Sequence, residues 1–234
     1  MKILACCFAL TGLAVAADEL QTAAGTIRII PIQHASLMLE AGGQTVYIDP
    51  AMGNYQGRPQ ADLILLTHSH SDHLAPKILA ELRKPETVIF APEAAAAGVA
   101  GSTVIHNGET KQSGKWTIQA LPMYNIQRGP QPGRLYHEKG QGNGYVLTYG
   151  EKRLYIAGDT EGIPEMKALR NIDIAFVPIN LPYTMTPEEA AEAVRAFHPK
   201  VVYPYHYRGS DLGIFEKALA GTGIEVRLRD WYGN

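Results

Sequence analysis

Residues 67–73, Thr-His-Ser-His-Ser-Asp-His, constrain this chain more than any other segment. They place three imidazoles and one carboxylate within six positions, directly after the apolar run of residues 62–66. A short apolar run of this kind indicates a buried strand. The cluster therefore follows the carboxyl end of a strand, which is where α/β proteins usually build their sites.

The residue types in this cluster predict a metal site. Side chains alternate between faces in extended backbone, so His68 and His70 point the same way and can share one metal ion. The turn that follows can bring Asp72 and His73 to a second position. Imidazole and carboxylate ligands together suit zinc, and also iron or manganese. The alternative is a polar loop with solvated histidines, which three histidines in six positions disfavour.

Residues 1–17 are predicted to be a signal peptide. Lys2 gives a short positive start, residues 3–15 form an apolar stretch, and small residues that suit a signal peptidase follow. The stretch is shorter than the roughly 20 apolar residues that span a bilayer. We therefore expect an exported protein, periplasmic or secreted, with one domain over residues 18–234 and no membrane span after cleavage.

The composition of the chain limits the ligand chemistry and the kinds of partner that we expect. Both cysteines, Cys6 and Cys7, fall within the predicted signal peptide, which leaves no thiolate ligand and no disulfide in the mature chain. The formal net charge is −2, and no basic run suggests a nucleic-acid partner. We expect a small-molecule substrate, and no pattern indicates an oligomeric state.

Two further polar residues follow predicted strands in the second half of the chain. Asp159 follows the apolar segment 153–157, and His206 follows the segment 201–204. Each stands at the end of a strand, as His68 does, so both are predicted metal ligands. The first half is rich in strands and the second alternates strands with helices, a combination that two sheets between helical layers would satisfy.

With these motifs in this order, the chain resembles the metallo-β-lactamase superfamily, whose first motif is His-x-His-x-Asp-His. The resemblance implies an α/β fold, the αββα four-layer sandwich with two mixed sheets between helical layers. It also implies two divalent metals, with Zn²⁺ expected first and Mn²⁺ or Fe²⁺ as alternatives. The implied ligands are His68, His70 and a third histidine for one metal, Asp72, His73 and His206 for the other, and Asp159 as the bridge.

The third histidine is the open position in this resemblance. In many members it follows the strand that matches residues 116–121, where this chain has Tyr124 and Asn125. Asn125 would be a poor zinc ligand through its amide oxygen, and its other predicted role is to support the ligands or contact substrate. We favour His137, in the long loop 128–143, and the alternative for it is a histidine that faces substrate.

Other residues are predicted to support the ligands or to contact substrate. Asp49, at a strand end, could accept a hydrogen bond from a ligand imidazole, as metal-bound histidines usually require. His34 could face the same pocket or be an ordinary histidine within a strand. Tyr183, Tyr207 and Arg208 are candidates to orient substrate.

These features predict metal-dependent hydrolysis. Two cations bridged by Asp159 would lower the pKa of a shared water and give hydroxide near neutral pH. Asp72 or Asp159 would accept or relay the proton. The Gly-Asp-Thr and Pro-Tyr-His-Tyr segments resemble the lactonase-like branch, which includes L-ascorbate-6-phosphate lactonase-type proteins, and this implies a small ester, lactone or phosphoester as substrate.

Two alternatives stay open from the sequence. One is an iron-dependent oxidoreductase, because persulfide dioxygenases have a similar first motif with a single iron. The other is a non-catalytic metal-binding protein on the same scaffold.

Overall fold

The computed structural model describes residues 17–233, so the predicted signal peptide lies outside the described residues except for Ala17. The described chain forms two seven-stranded sheets. The first sheet contains β1 (Asp18–Thr22), β2 (Gly25–Gln33), β3 (Ser36–Ala41), β4 (Gln44–Ile48), β5 (Ala61–Leu65), β6 (Arg83–Ala91) and β7 (Thr103–Val104). The second contains β8 (Thr110–Ser113), β9 (Trp116–Met123), β10 (Gly142–Tyr149), β11 (Lys152–Ile156), β12 (Ile174–Pro178), β13 (Val201–Tyr205) and β14 (Glu225–Val226).

Both sheets follow the same plan. The strands of each sheet lie side by side in the order in which they occur along the chain. In the first sheet β1 to β4 pair antiparallel, and β4 to β7 pair in parallel. In the second sheet β8 to β11 pair antiparallel, and β11 to β14 pair in parallel. Both sheets are therefore mixed, as predicted.

Side-chain alternation along the strands divides the apolar core into three layers. In β12, Ile174 and Phe176 join a core that contains residues of both sheets, whereas Ala175 and Val177 join a core with the helices of the second half. In β3, Leu37 enters the shared core, and Met38 on the opposite face packs with the first-half helices. A strand buried on both faces appears in the sequence as a continuous apolar run.

Short helices cover the outer faces of the two sheets. The first sheet carries α1 (Pro76–Leu82) and α2 (Glu93–Ala96), and the second carries α3 (Pro164–Lys167), α4 (Pro187–Phe197) and α5 (Leu212–Leu219). The layers run helix, sheet, sheet, helix, so the predicted αββα sandwich is confirmed. Within residues 17–233 no helix has the length and apolar character needed to cross a bilayer.

Candidate metal centre

Three histidine side chains converge near the carboxyl end of β5. His68 and His70 follow that strand, and His137 comes from the loop between β9 and β10. Each offers a ring nitrogen, and these nitrogens lie within 4.8 Å of one another. The His137 ring centroid is 5.0 Å from that of His68 and 4.9 Å from that of His70. His137, the favoured third histidine, is therefore placed beside the other two.

Asn125 holds His137 in place. Its Oδ1 accepts hydrogen bonds from His137 Nδ1 at 2.7 Å and from the His137 backbone N–H at 2.9 Å. A carbonyl oxygen only accepts hydrogen bonds, so Nδ1 carries the ring proton and Nε2 keeps its lone pair. That Nε2 is buried without a hydrogen-bond partner in the described chain. Asn125 thus has the geometry of a support for a ligand, which was its other predicted role.

A second group contains Asp72, His73, His206 and also His34, with one ligand atom from each within 4.8 Å of the others. His206 follows β13, and its Nε2 lies 3.6 Å from Asp72 Oδ2. His73 Nε2 lies 3.9 Å from the same oxygen. Three of these residues are the ones that the resemblance implies for the second metal, and His34 is an addition to that set.

His34 orients the Asp72 carboxylate. His34 Nε2 lies 3.1 Å from Asp72 Oδ2, and His34 Nδ1 lies 2.8 Å from Tyr232 Oη. An ionised carboxylate only accepts hydrogen bonds, so Nε2 donates to it. Burial opposes the charge of Asp72, but hydrogen bonds from His206 and His34 outweigh burial and hold the pKa of this carboxyl well below its ordinary value.

Asp159 lies between the two groups. Its Oδ1 is 3.3 Å from His73 Nε2, and its Oδ2 is 3.3 Å from His206 Nε2 and 3.5 Å from His137 Nε2. One buried carboxylate thus reaches histidines of both groups, which is the position that a bridging ligand requires. Gly158 before it has a φ of +66°, and a Cβ at that residue would lie 2.5 Å from the sulfur of Met123.

Asp49, at the end of β4, fixes the histidine cluster. One carboxylate oxygen accepts the Thr67 backbone N–H at 2.7 Å, and the other accepts the Thr67 hydroxyl at 2.6 Å and His73 Nδ1 at 2.7 Å. The Thr67 hydroxyl in turn lies 3.0 Å from His68 Nδ1. The predicted hydrogen bond from a ligand imidazole to Asp49 is present, and it leaves Nε2 of His73 free for a metal.

Buried polar atoms without a hydrogen-bond partner concentrate at this centre. Among the described residues, six of the nine such side-chain atoms belong to the predicted ligands His68, His73, His137, Asp159 and His206. An unsatisfied buried polar group costs about 1–3 kcal/mol. Five of these atoms, one ring nitrogen from each histidine and Oδ1 of Asp159, are explained by cations that they would share, so the donor set fits the metals that the sequence predicts. The sixth is Nδ1 of His206, on the side of the ring away from Nε2.

The electrostatics of the centre agree with this fit. Burial lowers the pKa of His68 well below its ordinary value and that of His137 to about 4, which keeps both rings in the neutral form that binds metals. Burial opposes protonation of His73 and His206 too, but Asp159 outweighs it, with Asp49 adding to the effect at His73. The pKa of His73 is raised well above its ordinary value and that of His206 to about 8. The same carboxylate field attracts a divalent cation.

Three residues of the centre have left-handed backbone. The φ angles are 60° at His34, 45° at Asp49 and 48° at His206. Such conformations cost of order 1–3 kcal/mol in residues other than glycine, and they cluster at functional sites. Each stands at or just after the end of a strand, where the turn sends the side chain into the centre.

A cavity of about 730 Å³ opens over both groups, and its lining includes His70 and His137 of the first group, His34, Asp72 and His206 of the second, and Asp159. The rest of its lining is largely apolar and aromatic, with Met52, Tyr136, Leu181, Pro182 and Tyr183, and it also contains the cationic side chain of Arg208. Tyr183 and Arg208 therefore lie where substrate contact was predicted.

Tyr207 does not line this cavity. Its hydroxyl donates to the Arg229 carbonyl oxygen at 2.9 Å, and its ring packs edge-on against Tyr232. These contacts give Tyr207 a packing role against the C-terminal segment, and the substrate contact expected of it stays a prediction.

The sequence did not single out three residues that contact the ligands or their hydrogen-bond partners. These are Thr67 beside His68, Tyr232 beside His34, and Glu161, which accepts a hydrogen bond from Asn125 at 3.3 Å. Thr67 precedes His68 and Glu161 follows Asp159 by two positions, so nearness to a predicted ligand was the available signal for both. Tyr232 contacts His34 from the far end of the chain, and no pattern in the sequence announces that contact.

Comparison with known proteins gives one consistent family. Residues 28–206 match a family model described as a beta-lactamase superfamily domain. A UPF0173 metal-dependent hydrolase from Methanopyrus kandleri is 31% identical over 223 residues, which cover 86% of this chain and 95% of that protein.

Solved structures agree with this match. A crystal structure from Parabacteroides distasonis, named as a metal-dependent hydrolase, is 44% identical and superposes with a TM-score of 0.87, covering 93% of this chain and 99% of that one. Igni18, a metallo hydrolase from Ignicoccus hospitalis, is 23% identical with a TM-score of 0.74, covers 88% and 96% of the two chains, and supports the fold alone.

Proposed function

Because the chain belongs to the β-lactamase superfamily, as a metal-dependent hydrolase with the metallo-β-lactamase fold, we propose that it is a two-metal hydrolase of a small ester, lactone or phosphoester. The observation that carries this proposal is the place of Asp159, whose carboxylate oxygens lie within 3.5 Å of histidine nitrogens from both ligand groups. A carboxylate in that place joins two cation positions into one centre.

The residues fall into two sets around this bridge. His68, His70 and His137 would hold one cation, and Asp72, His73 and His206 the other, with Zn²⁺ expected first and Mn²⁺ or Fe²⁺ as alternatives. When bound, two cations supply Lewis acidity and lower the pKa of a water shared between them.

Asp72 is the residue best placed to move a proton to solvent. Its side chain is 40% exposed on the cavity wall, whereas that of Asp159 is 4% exposed and enclosed by histidines. His34 holds Asp72 in a fixed orientation through Nε2. We therefore assign proton relay to Asp72 and bridging to Asp159.

The cavity supports a small-molecule substrate with an apolar part. A volume of about 730 Å³ lies within the range of roughly 300–1,000 Å³ typical of small-molecule sites. Leu181 and Tyr183 are 50% and 45% exposed, which leaves apolar surface free for contact. The Arg208 guanidinium lies 5.1 Å from the ring centroid of Tyr232, and within the described residues it forms no ion pair with a carboxylate, so it is available to an acidic group of the substrate.

Metal analysis followed by a substrate screen tests the proposal. Purified protein should hold two divalent ions per chain and hydrolyse members of an ester, lactone and phosphoester panel, and Asp159→Asn should lose both properties. A protein that holds one iron and consumes oxygen on sulfur substrates would instead be an oxidoreductase. Full metal occupancy without hydrolysis anywhere in the panel would indicate a binding protein.

We also propose that the protein is exported after removal of residues 1–17. The positive start, the apolar stretch 3–15 and the small residues after it support this location. The first described strand, β1, begins at Asp18, so cleavage there would leave the described strands whole. Mass spectrometry of the N-terminus of protein recovered from the periplasm or medium should find Ala17 or Asp18 first, and an intact Met1 would contradict export by cleavage.

A further inference from the structure

Glu161 is a buried carboxylate that the proposed ligand set does not use. It is 3% exposed and follows Asp159 by two residues. Its Oε1 accepts the backbone N–H of Arg128 at 2.8 Å, and its Oε2 accepts those of Ile126 at 3.0 Å and Gln127 at 3.2 Å. Three consecutive backbone donors of the loop after β9 thus converge on one side chain.

The same carboxylate reaches the metal centre through Asn125. Asn125 Nδ2 donates to Glu161 Oε1 at 3.3 Å and to the Tyr183 carbonyl oxygen at 2.8 Å. Because both neighbours of Nδ2 are acceptors, the amide is oriented with Oδ1 towards His137. That oxygen then accepts the His137 Nδ1 proton at 2.7 Å and leaves the Nε2 lone pair free.

Further contacts join the two segments around this link. The Glu161 backbone N–H and the Thr160 hydroxyl both donate to the Tyr124 carbonyl oxygen, at 3.1 Å and 2.9 Å. The Arg128 side chain lies 3.4 Å from Glu161 through Nη1 and donates to Glu189 through Nη2. The start of the loop is therefore attached to the segment that carries Asp159, the predicted bridge.

We propose that Glu161 is a positioning residue for the metal held by His68, His70 and His137. It fixes the start of the loop and, through Asn125, sets the tautomer and orientation of the His137 ring. The inference rests on the proposed function only in taking His137 as a metal ligand. A carboxylate is required, because an amide would turn N–H groups towards the backbone N–H donors of the loop.

The consequence is confined to one of the two metal positions. Glu161 contacts neither Asp72, His73 nor His206 in the described structure. The hydrogen bond between Asp49 and His73 also does not involve Glu161. Residues that orient a ligand typically contribute 10–100-fold to metal affinity. Glu161→Gln should therefore weaken binding at the first position by about 10-fold or more and leave the second position as it is.

Cobalt titration of the full chain tests this inference without using activity. Wild type should bind two Co²⁺ ions, each adding its own visible absorption bands, and Glu161→Gln should lose the tight binding and bands of one of them. Asn125→Ala should reproduce that loss, and the double variant should show no added loss, because both changes break one chain of contacts. Glu165→Gln is the matched control, since Glu165 pairs with Lys139 and Tyr124 and not with the loop backbone.

The results of the cobalt titration distinguish failure of this inference from failure of the proposed function. Two Co²⁺ ions bound to Glu161→Gln with wild-type affinity and spectrum would overturn the inference, even if the variant melted at a lower temperature. If Glu161→Gln does not fold, Asn125→Ala decides alone, and wild-type cobalt binding by that variant would overturn the inference. A chain that binds cobalt as described but hydrolyses nothing refutes the proposed function and leaves this inference standing.

Discussion

The two halves of the molecule share one plan and differ in how they supply the metal centre. Each half builds a seven-stranded sheet with three antiparallel and three parallel pairings. The first half supplies its four predicted ligands from a single loop after β5, namely His68, His70, Asp72 and His73. The second half supplies His137, Asp159 and His206 from three separated connections. The first half therefore presents its ligands once a single loop has folded, whereas the second half presents its ligands only when its whole sheet has formed.

Each half also contains a buried carboxylate that supports ligands. Asp49 contacts the histidine loop directly and reaches both His68, through Thr67, and His73. Glu161 acts through Asn125 on His137. The first anchor thus serves histidines of both metal positions, and the second serves one.

The largest expected effect comes from removing the residue on which the halves meet. Asp159→Ala should reduce the metal content from two ions per chain to less than one and abolish hydrolysis, because it leaves histidines of both groups without the carboxylate between them. Elemental analysis after gel filtration measures this. Retention of two ions by the folded variant would show that the two groups bind metals independently and that Asp159 is not a bridge.

Asp49→Asn should have the next largest effect. It tests whether Asp49 supports both metal positions, in contrast to Glu161, which supports one. The amide would turn an N–H towards one of the donors from Thr67 or His73, so we expect affinity at both metal positions to fall about 10–100-fold. Competition with a chelator measures each affinity. If Asp49→Asn lowered the metal affinity at one position only, which is the outcome expected of Glu161→Gln, then Asp49 and Glu161 would each support a single metal position.

The difference between the halves also explains what the sequence could reveal. The loop 67–73 was readable because its ligands are neighbours in the chain. The strands β5 and β12 were readable because strands buried on both faces are largely apolar. His206 was readable because it directly follows such a strand, β13, and Asp159 because it comes shortly after the buried end of β11. His137 was favoured over Asn125 on side-chain chemistry alone, because both lie between β9 and β10 and only the folded structure shows which one faces the other histidines.

The sequence alone could not predict the polar edge strands or the residues that contact the metal centre from distant positions in the chain. β1 and β8, at the antiparallel edges of the two sheets, have the sequences Asp-Glu-Leu-Gln-Thr and Thr-Lys-Gln-Ser, which lack an apolar run. Glu161 and Tyr232 act through contacts 33 to 36 and 198 residues distant in the chain. Local patterns carry no information about partners at such separations.

Tyr145→Phe tests how firmly the halves are joined beside the centre. The Tyr145 hydroxyl, from β10, donates to the Leu66 carbonyl oxygen at 2.7 Å in a buried setting. Its removal leaves that oxygen unsatisfied, so the free energy of unfolding should fall by about 1–2 kcal/mol with metal content unchanged. Urea unfolding measures the change. Tyr149→Phe is the matched control, because the hydroxyl of Tyr149 makes a longer, part-buried bond of 3.3 Å to Ala24 and should matter less.

The smallest effect is expected where β1 meets the second half. Asp18 accepts two hydrogen bonds from the Arg229 guanidinium and one from the Tyr203 hydroxyl. Burial opposes the charge of Asp18, but these bonds outweigh burial and lower the pKa of its carboxyl below the ordinary value of 3.8. The pair is partly exposed, so Asp18→Asn should cost only about 0.5–1 kcal/mol of unfolding free energy at pH 7.

The lowered pKa of Asp18 determines how the stability difference between wild type and Asp18→Asn changes with pH. A carboxyl whose pKa is lower in the folded than in the unfolded protein contributes its full stabilisation above the unfolded value of 3.8. The contribution is lost as the pH falls through the lower, folded pKa. The stability difference between wild type and Asp18→Asn, measured by urea unfolding in steps from pH 7 downwards, should therefore stay constant to about pH 5 and then shrink. A difference that grew on acidification would mean that Asp18 stabilises the junction of the two sheets in its protonated form, so the contact would not be an ion pair.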